Sequence, residues 1–282
     1  MILSKRKFLV KVCAITVIFC IIFSFFIPAL AYVDNESHWA NLSAKKWVER
    51  EVLKGYPDGS LKLSNNIAIG ELLALLCRIF NYEYIPPELN QAIKEENWQK
   101  EFVLKAVGAG LIDQELVDVY MLNGYITRQE AAYILAKAFD LPAGDKKVLE
   151  AFSDSQQIAE EYKDSIASLV QLGYMRGKPG RKIDPLGYLT RGEAVKLLDN
   201  LVSDLKNKPG VYSGQVKGNI VVNTSDVQLN NMRLEGDLYL TEGIGEGEVY
   251  LKNVDVKGRI LIKGGGINSI KLENVNLVLM IK

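Results

Sequence analysis

Ile126-Thr127-Arg128-Gln129-Glu130 and Leu189-Thr190-Arg191-Gly192-Glu193 are one five-residue pattern written twice, with their glutamates 63 residues apart. Thr followed three residues later by Glu, just ahead of an apolar series, is the signature of a helix start. The Thr hydroxyl accepts from the backbone N–H of the Glu, and the Glu carboxylate accepts from the N–H of the Thr. The residues that follow keep helical spacing: Ala131, Ile134, Leu135 and Phe139 in one copy, and Val195, Leu198 and Leu201 in the other. A third, altered copy stands at Ala68-Ile69-Gly70-Glu71, with Leu72, Leu75, Leu76 and Ile79 behind it. Glu71 lies 59 residues before Glu130, so the chain repeats with a period near 60.

Ahead of each start, another amphipathic stretch predicts a first helix. Its stripe is Trp39, Leu42 and Trp47 in the first unit, Trp98, Phe102 and Val107 in the second, and Tyr162, Ile166 and Leu169 in the third. These stripes are expected to face the core. From Tyr32 to about Leu205 the chain therefore reads as three helix–loop–helix units, at 32–95, 96–151 and 152–205, with polar breaks at Pro86-Pro87 and Pro142-Ala143-Gly144-Asp145.

A linker is expected at 206–211, and past it the period falls to two. Over 212–282 a second repeat appears: Val227 to Gly236 is echoed by Val249 to Gly258 and again from Ile270, with equivalent asparagines at Asn231, Asn253 and Asn274, spaced 22 and 21 residues apart. Short alternating strands with Gly-rich turns such as Gly264-Gly265-Gly266 suit the coils of a right-handed parallel β-helix, in which stacked asparagines share side-chain hydrogen bonds. A small β-sandwich is the alternative. The expected fold class is α plus β in separate domains, an all-α helical part followed by a small all-β part.

The N-terminus reads as an export signal, residues 1–31. Lys5, Arg6, Lys7 and Lys11 precede an apolar run from Val12 to Ile27, and Ala29 and Ala31 supply the small side chains of a cleavage site before Tyr32. An uncleaved anchor helix is the alternative, but the run is shorter than the ~20 apolar residues of a comfortable span. Loss of the signal leaves 30 basic against 34 acidic residues, a formal charge of −4, which does not suggest nucleic acid as a partner. Two of the three cysteines lie within the signal, so Cys77 alone follows it, in an apolar stretch that predicts a buried thiol and no disulfide. The single histidine, His38, excludes a His-based metal cluster or a Ser-His-Asp triad, and no cofactor or metal is expected.

Capping explains Thr127, Glu130, Thr190 and Glu193. It does not explain Arg128 and Arg191, because a cation in the first helical turn opposes the positive end of the helix dipole at a cost of a few tenths of a kcal/mol. Each points to an anion nearby, a ligand carboxylate or phosphate held by the planar guanidinium; an intramolecular ion pair or a solvated side chain is the alternative.

Around these arginines the chain resembles a triplet of S-layer homology modules. The matching residues are His38-Trp39-Ala40, Gly55-Tyr56-Pro57-Asp58-Gly59, Phe152-Ser153-Asp154 and the two Thr-Arg-x-Glu starts, and the resemblance covers roughly residues 32–205. It implies a three-pronged bundle with grooves between prongs. It also implies a location at the cell wall or S-layer and a ligand that is an anionic secondary cell wall polymer, often ending in a pyruvylated amino sugar. Carried onto this chain, Arg128 and Arg191 are carboxylate clamps, Trp39 lines a groove, Gly55 and Gly177 permit close backbone approach, and Lys178 adds charge.

Two departures limit this. Ile69 stands where the clamp of the first unit belongs, and the second unit has Asp118 to Gly124 in place of a Gly-Tyr-Pro-Asp-Gly loop. At most two working grooves are expected. The expected role is non-catalytic anchoring, with the β region as a spacer or assembly element open to self-association or to other surface proteins. A surface carbohydrate-active enzyme using Glu235, Asp237 or Asp255 beside Arg233 and Arg259 is the alternative.

Overall fold

The computed structural model describes residues 37–92, 97–114 and 124–277. The expected export signal with its Ala31–Tyr32 junction, the segment 118–123 and the apolar residues 278–281 lie outside them. Among the described residues no helix is long and apolar enough to cross a membrane.

Among the described residues seven α-helices precede the strands: α1 (Asn41–Glu49), α2 (Ile69–Phe80), α3 (Pro87–Ala92), α4 (Lys100–Gly108), α5 (Arg128–Ala138), α6 (Glu160–Gln171) and α7 (Arg191–Leu201). They form where apolar spacing is helical, and the starts of α2, α5 and α7 coincide with the three repeats of the Glu pattern. Both complete capping boxes are made. Thr127 Oγ1 accepts from Glu130 N at 3.4 Å while Thr127 N donates to Glu130 Oε2 at 2.8 Å. Thr190 and Glu193 do the same at 3.2 and 3.0 Å. At α2 only the carboxylate arm survives, Ala68 N donating to Glu71 Oε2 at 3.0 Å, because alanine has no hydroxyl.

The residues just before these starts meet one another. Ile67 N donates to Leu189 O, Leu189 N to Ile126 O, and Ile126 N to Ile67 O, at 2.9, 2.9 and 3.2 Å. Three equivalent positions thus close a ring of backbone hydrogen bonds, and Ile67, Ile126 and Leu189 are fully buried beneath it. Helix packing follows the same cyclic order: α2 lies on α4, α5 on α6, and α7 on α1. The residue after each arginine position makes the junction. A Cβ on Gly192 would lie 2.9 Å from His38 Cε1, one on Gly70 would overlap Gln99 Oε1, and Gln129 Oε1 accepts from Ala159 N at 3.2 Å.

The predicted stripes need correction at their leading aromatics. Trp47, Ile166 and Leu169 are core, but Leu42 and Trp98 are exposed and Trp39 is 62% exposed. Trp39 precedes the first turn of α1 and stacks on His38, whose Nδ1 accepts from Ala40 N at 3.1 Å. His38 therefore shapes a helix start.

The C-terminal region is a β-solenoid of about three turns. Sheet one orders β1 (Asp204–Lys206), β3 (Ile220–Val222), β5 (Leu238–Leu240) and β7 (Ile260–Ile262); sheet two orders β2 (Gly210–Val216), β4 (Val227–Leu234), β6 (Val249–Val256) and β8 (Ile270–Leu277). β1 and β2 run through the stretch expected as a linker. All pairings are parallel, which a sandwich of hairpins would not give. Asn231, Asn253 and Asn274 sit at φ of 50°, 53° and 52°, a left-handed conformation that asparagine tolerates. Asn253 Nδ2 donates to Asn231 Oδ1 at 3.0 Å and Asn274 Nδ2 to Asn253 Oδ1 at 2.8 Å, the side-chain ladder that the 22- and 21-residue spacings predict.

Sheet one lies across the C-terminal ends of α2, α5 and α7. Asn223 Nδ2 donates to Arg78 O and Ile79 O, Tyr239 Oη to Phe139 O at 2.9 Å, and Asn219 Nδ2 to Leu201 O at 2.9 Å. Carbonyls left without partners at helix ends are thereby capped by the sheet. Phe80, Phe139 and Tyr239 meet edge-to-face, with centroids 4.9 to 6.1 Å apart, so one apolar core runs from helices to strands.

Candidate functional site

Both arginines of the Thr-Arg-x-Glu starts are buried, at 5% exposure each. Arg128 Nε donates to Ile183 O at 2.9 Å, Nη2 to Arg176 O at 3.2 Å, and Nη1 faces Glu193 Oε1 at 3.4 Å. Arg191 Nε donates to Leu61 O at 2.7 Å, Nη2 to Lys54 O at 3.1 Å, and Nη1 to Glu71 Oε1 at 2.8 Å. The anion that a cation at a helix start requires is thus supplied from within, each time by the capping glutamate of another unit. Each guanidinium has five N–H groups, and among the described residues two remain on each without such a partner. Burial pushes Arg128 down from its usual value while Glu193, Asp184 and Asp154 oppose this.

A hollow opens beside each guanidinium. The first, about 440 Å³, is lined by Trp39, Arg128, Arg176, Gly177, Lys178 and Glu193, together with Lys196 of α7. Unit one contributes its tryptophan, unit two its arginine, and unit three its loop. Lys178 Nζ pairs with Asp184 Oδ2 at 2.8 Å and Glu193 Oε1 at 3.4 Å. Asp154 fixes this loop, accepting from Ile183 N and Asp184 N at 2.9 Å each, and a Cβ on Gly177 would sit 2.6 Å from Phe152 Cε1. Gly177 is therefore required by packing of the loop on Phe152.

The second hollow, about 280 Å³, is lined by Lys54, Gly55, Tyr56, Glu71, Arg78, Trp98 and Arg191. Here the loop comes from unit one, the tryptophan from unit two and the arginine from unit three, the same roles advanced one unit around the ring. Tyr56 Oη donates to Glu71 Oε1 at 2.7 Å, and the Arg191 guanidinium lies 4.8 Å from the Tyr56 ring centroid. Burial, then the Glu71 hydrogen bond, pushes the Tyr56 hydroxyl up to about 12. Glu71 serves three groups at once: Ala68 N at its own helix start, Tyr56 and Arg191.

The sequence-predicted residues thus gather into two sites. Arg128, Trp39, Gly177 and Lys178 share the first hollow; Arg191 and Gly55 share the second. Thr127, Glu130, Thr190 and Glu193 make the caps, and Glu193 also faces Arg128. Ile69 N donates to Gly124 O, the place in the ring that Arg128 N and Arg191 N occupy opposite Gly187 O and Asn65 O. Sequence reasoning missed Trp98, Tyr56, Arg176 and Lys196 as groove residues. Trp98 shares its place before a first helix with Trp39, a signal that could have identified it.

The three carboxylates singled out in the solenoid, Glu235, Asp237 and Asp255, each have a partner of their own. Asp237 is tied to Arg259 at 2.7 Å, Glu235 to Lys257 at 3.2 Å, and Asp255 accepts from Asn276 Nδ2 at 2.9 Å. Each pairs along the stacking direction. Lys257 holds the Glu235 carboxyl below the usual range, the opposite of what a general acid requires. Cys77 is buried, and burial pushes its thiol up to about 12, so it is no nucleophile at neutral pH.

Residues 151–195 match the S-layer homology domain. Over 184 residues the chain is 23% identical to Exoglucanase XynX of Acetivibrio thermocellus, covering 64% of this chain and 17% of that protein. It is 24% identical over 179 residues to Amylopullulanase of Thermoanaerobacterium thermosulfurigenes, covering 62% and 10%. It is 33% identical over 112 residues to the Surface-layer 125 kDa protein of Lysinibacillus sphaericus, covering 39% and 9%. The chain spans less than a fifth of the length of each of these relatives. An S-layer homology domain is therefore present, and with the surface-layer relatives it points to anchoring at the cell surface.

Proposed function

We propose that residues 32–205 form three S-layer homology modules arranged as three prongs about the backbone ring. In this reading the protein is exported with its signal cleaved before Tyr32, and it holds an anionic secondary cell wall polymer in the Arg128 and Arg191 hollows. The observation that carries this is the composition of the hollows: each joins an arginine, a loop and an exposed tryptophan from three different units, in the same cyclic order. Cations outnumber carboxylates in both, with Arg128, Arg176, Lys178 and Lys196 around Glu193, and Lys54, Arg78 and Arg191 around Glu71. A pyruvyl carboxylate entering either hollow meets the two remaining guanidinium N–H groups and the flank of an indole. It also meets the resident glutamate, so binding is modest in each hollow and gains from two hollows acting on one polymer.

The role is anchoring without catalysis. The relatives that are enzymes share with this chain a small fraction of their length, and the solenoid carboxylates are spent on ladder contacts. The test is retention on isolated cell walls. Because Arg128 and Arg191 also bind carbonyls, the variants are Arg128→Lys/Arg191→Lys, which keep charge but lose the planar fork, alongside Trp39→Ala/Trp98→Ala. The tryptophan variant is expected to leave the unfolding midpoint within a few degrees and the lysine variant to lower it, and both, assayed well below their midpoints, to lower retention at least tenfold. Retention equal to the unmutated protein overturns the groove assignment.

A further inference from the structure

The ring of backbone hydrogen bonds carries two exposed aromatic side chains. Tyr125 and Tyr188 occupy equivalent positions, immediately before Ile126 and Leu189; Asn66 holds the third. Both residues are 53% exposed, and their rings meet edge-to-face with centroids 5.6 Å apart. The backbone beneath is already closed on itself, so the rings are not needed to satisfy it. Tyr125 is tied to the second hollow: it pairs with Ala68 at the start of α2, whose Glu71 holds Tyr56 and Arg191. Tyr188 pairs with Thr127 at the start of α5 and joins that hollow through its ring contact with Tyr125. Tyr125 is also near enough to contribute, after burial and Glu71, to the raised acid constant of Tyr56.

We infer that Tyr125 and Tyr188 form a sugar-stacking subsite that continues the Arg191 hollow and takes a neutral pyranose next to the anionic residue of the polymer. The inference rests on the reading of that hollow as a polymer site. An aromatic face is electron-rich and attracts the polarised C–H groups on one side of a sugar ring, while a tyrosine hydroxyl at the rim meets sugar hydroxyls. A protein partner fits less well. Two half-exposed tyrosines offer roughly 100 Å² each, far below the ~800 Å² per side of a stable protein interface.

The test titrates the protein with a methyl glycoside of the pyruvylated amino sugar and with oligosaccharides that extend it by one, two and three neutral N-acetylhexosamines. Affinity is expected to rise about tenfold on extension. Tyr125→Ala/Tyr188→Ala should abolish that rise while leaving affinity for the single glycoside unchanged, and Tyr125→Phe/Tyr188→Phe should retain most of it. The unchanged single-glycoside affinity shows that the alanine variant is folded. If the unmutated protein binds the glycoside but gains nothing on extension, or if the alanine variant keeps the gain, the subsite is wrong and the hollow stands. If the unmutated protein binds none of these probes, the hollow reading fails and the subsite with it.

Discussion

The helical and β regions are both repeats, but one repeats by rotation and the other by translation. Around the ring each helical unit completes its neighbour: the glutamate of one cap neutralises the arginine of another unit, and each hollow draws on all three units. Along the solenoid each coil repeats the one before, so identical residues stack on themselves, asparagine on asparagine and valine on valine. Rotation generates concave junctions between unlike edges. Translation generates flat ladders whose charged groups satisfy one another, so the concave junctions lie in the helical region.

The two regions are also joined, and the joint offers the largest test of the comparison. Tyr239 sits between Phe80 and Phe139 and caps α5. Tyr239→Ala should cost about 3–5 kcal/mol and lower the stability of helices and strands together in one thermal transition followed by circular dichroism. Two separate transitions would mean that the solenoid folds independently. Next, Asp154→Ala strips the partners from Ile183 N and Asp184 N and loosens the loop that carries Lys178, at roughly 1–3 kcal/mol. Hydrogen exchange should rise over 177–184 while the Arg191 hollow is unaffected.

In the β region, Asn253→Ala places a Cβ-bearing residue without a ladder group at φ 53°, for about 1–2 kcal/mol by chemical denaturation. Asn253→Gly should cost less, since it keeps the backbone conformation and loses only the amide bonds. The smallest effect concerns Asp199, which joins α7 to α1. It is partly buried, which raises its acid constant, but hydrogen bonds from Lys46, Ser43 and Lys196 outweigh that and hold it below the ordinary aspartate value. A depressed carboxyl contributes stability above its unfolded value and loses it as pH falls through the folded one. Asp199→Asn should therefore cost roughly 1 kcal/mol at pH 7 and progressively less as pH falls below the ordinary aspartate range and through the lowered folded value, measured as a flattened acid limb of stability.

Much of this was legible in the sequence, for physical reasons. Thr127, Glu130, Thr190 and Glu193 announce helix starts because capping is local, and Asn231, Asn253 and Asn274 announce stacked coils because translation brings equal residues into contact. Arg128 and Arg191 stood out because they oppose the helix dipole. Their partners did not, since Ile183, Glu193, Leu61 and Glu71 lie 55 to 130 residues away or in another unit. The exposure of Trp39 and Trp98 was hidden for a different reason. Periodicity places an aromatic on a stripe but cannot say that the helix begins only after it. Nor did alternation along β3 and β5 reveal that Asn219, Asn223 and Tyr239 would close the ends of three helices, because both faces of that sheet are buried.

In the proposed reading rotation yields two competent hollows, with Ile69 in the third arginine position. Isothermal titration calorimetry with the single pyruvylated glycoside should then give two sites per chain, falling to one in Arg128→Lys and to one in Arg191→Lys, with no change in Ile69→Val. No binding, three equivalent sites, or two sites that both persist in the Arg128→Lys/Arg191→Lys double variant would overturn that reading.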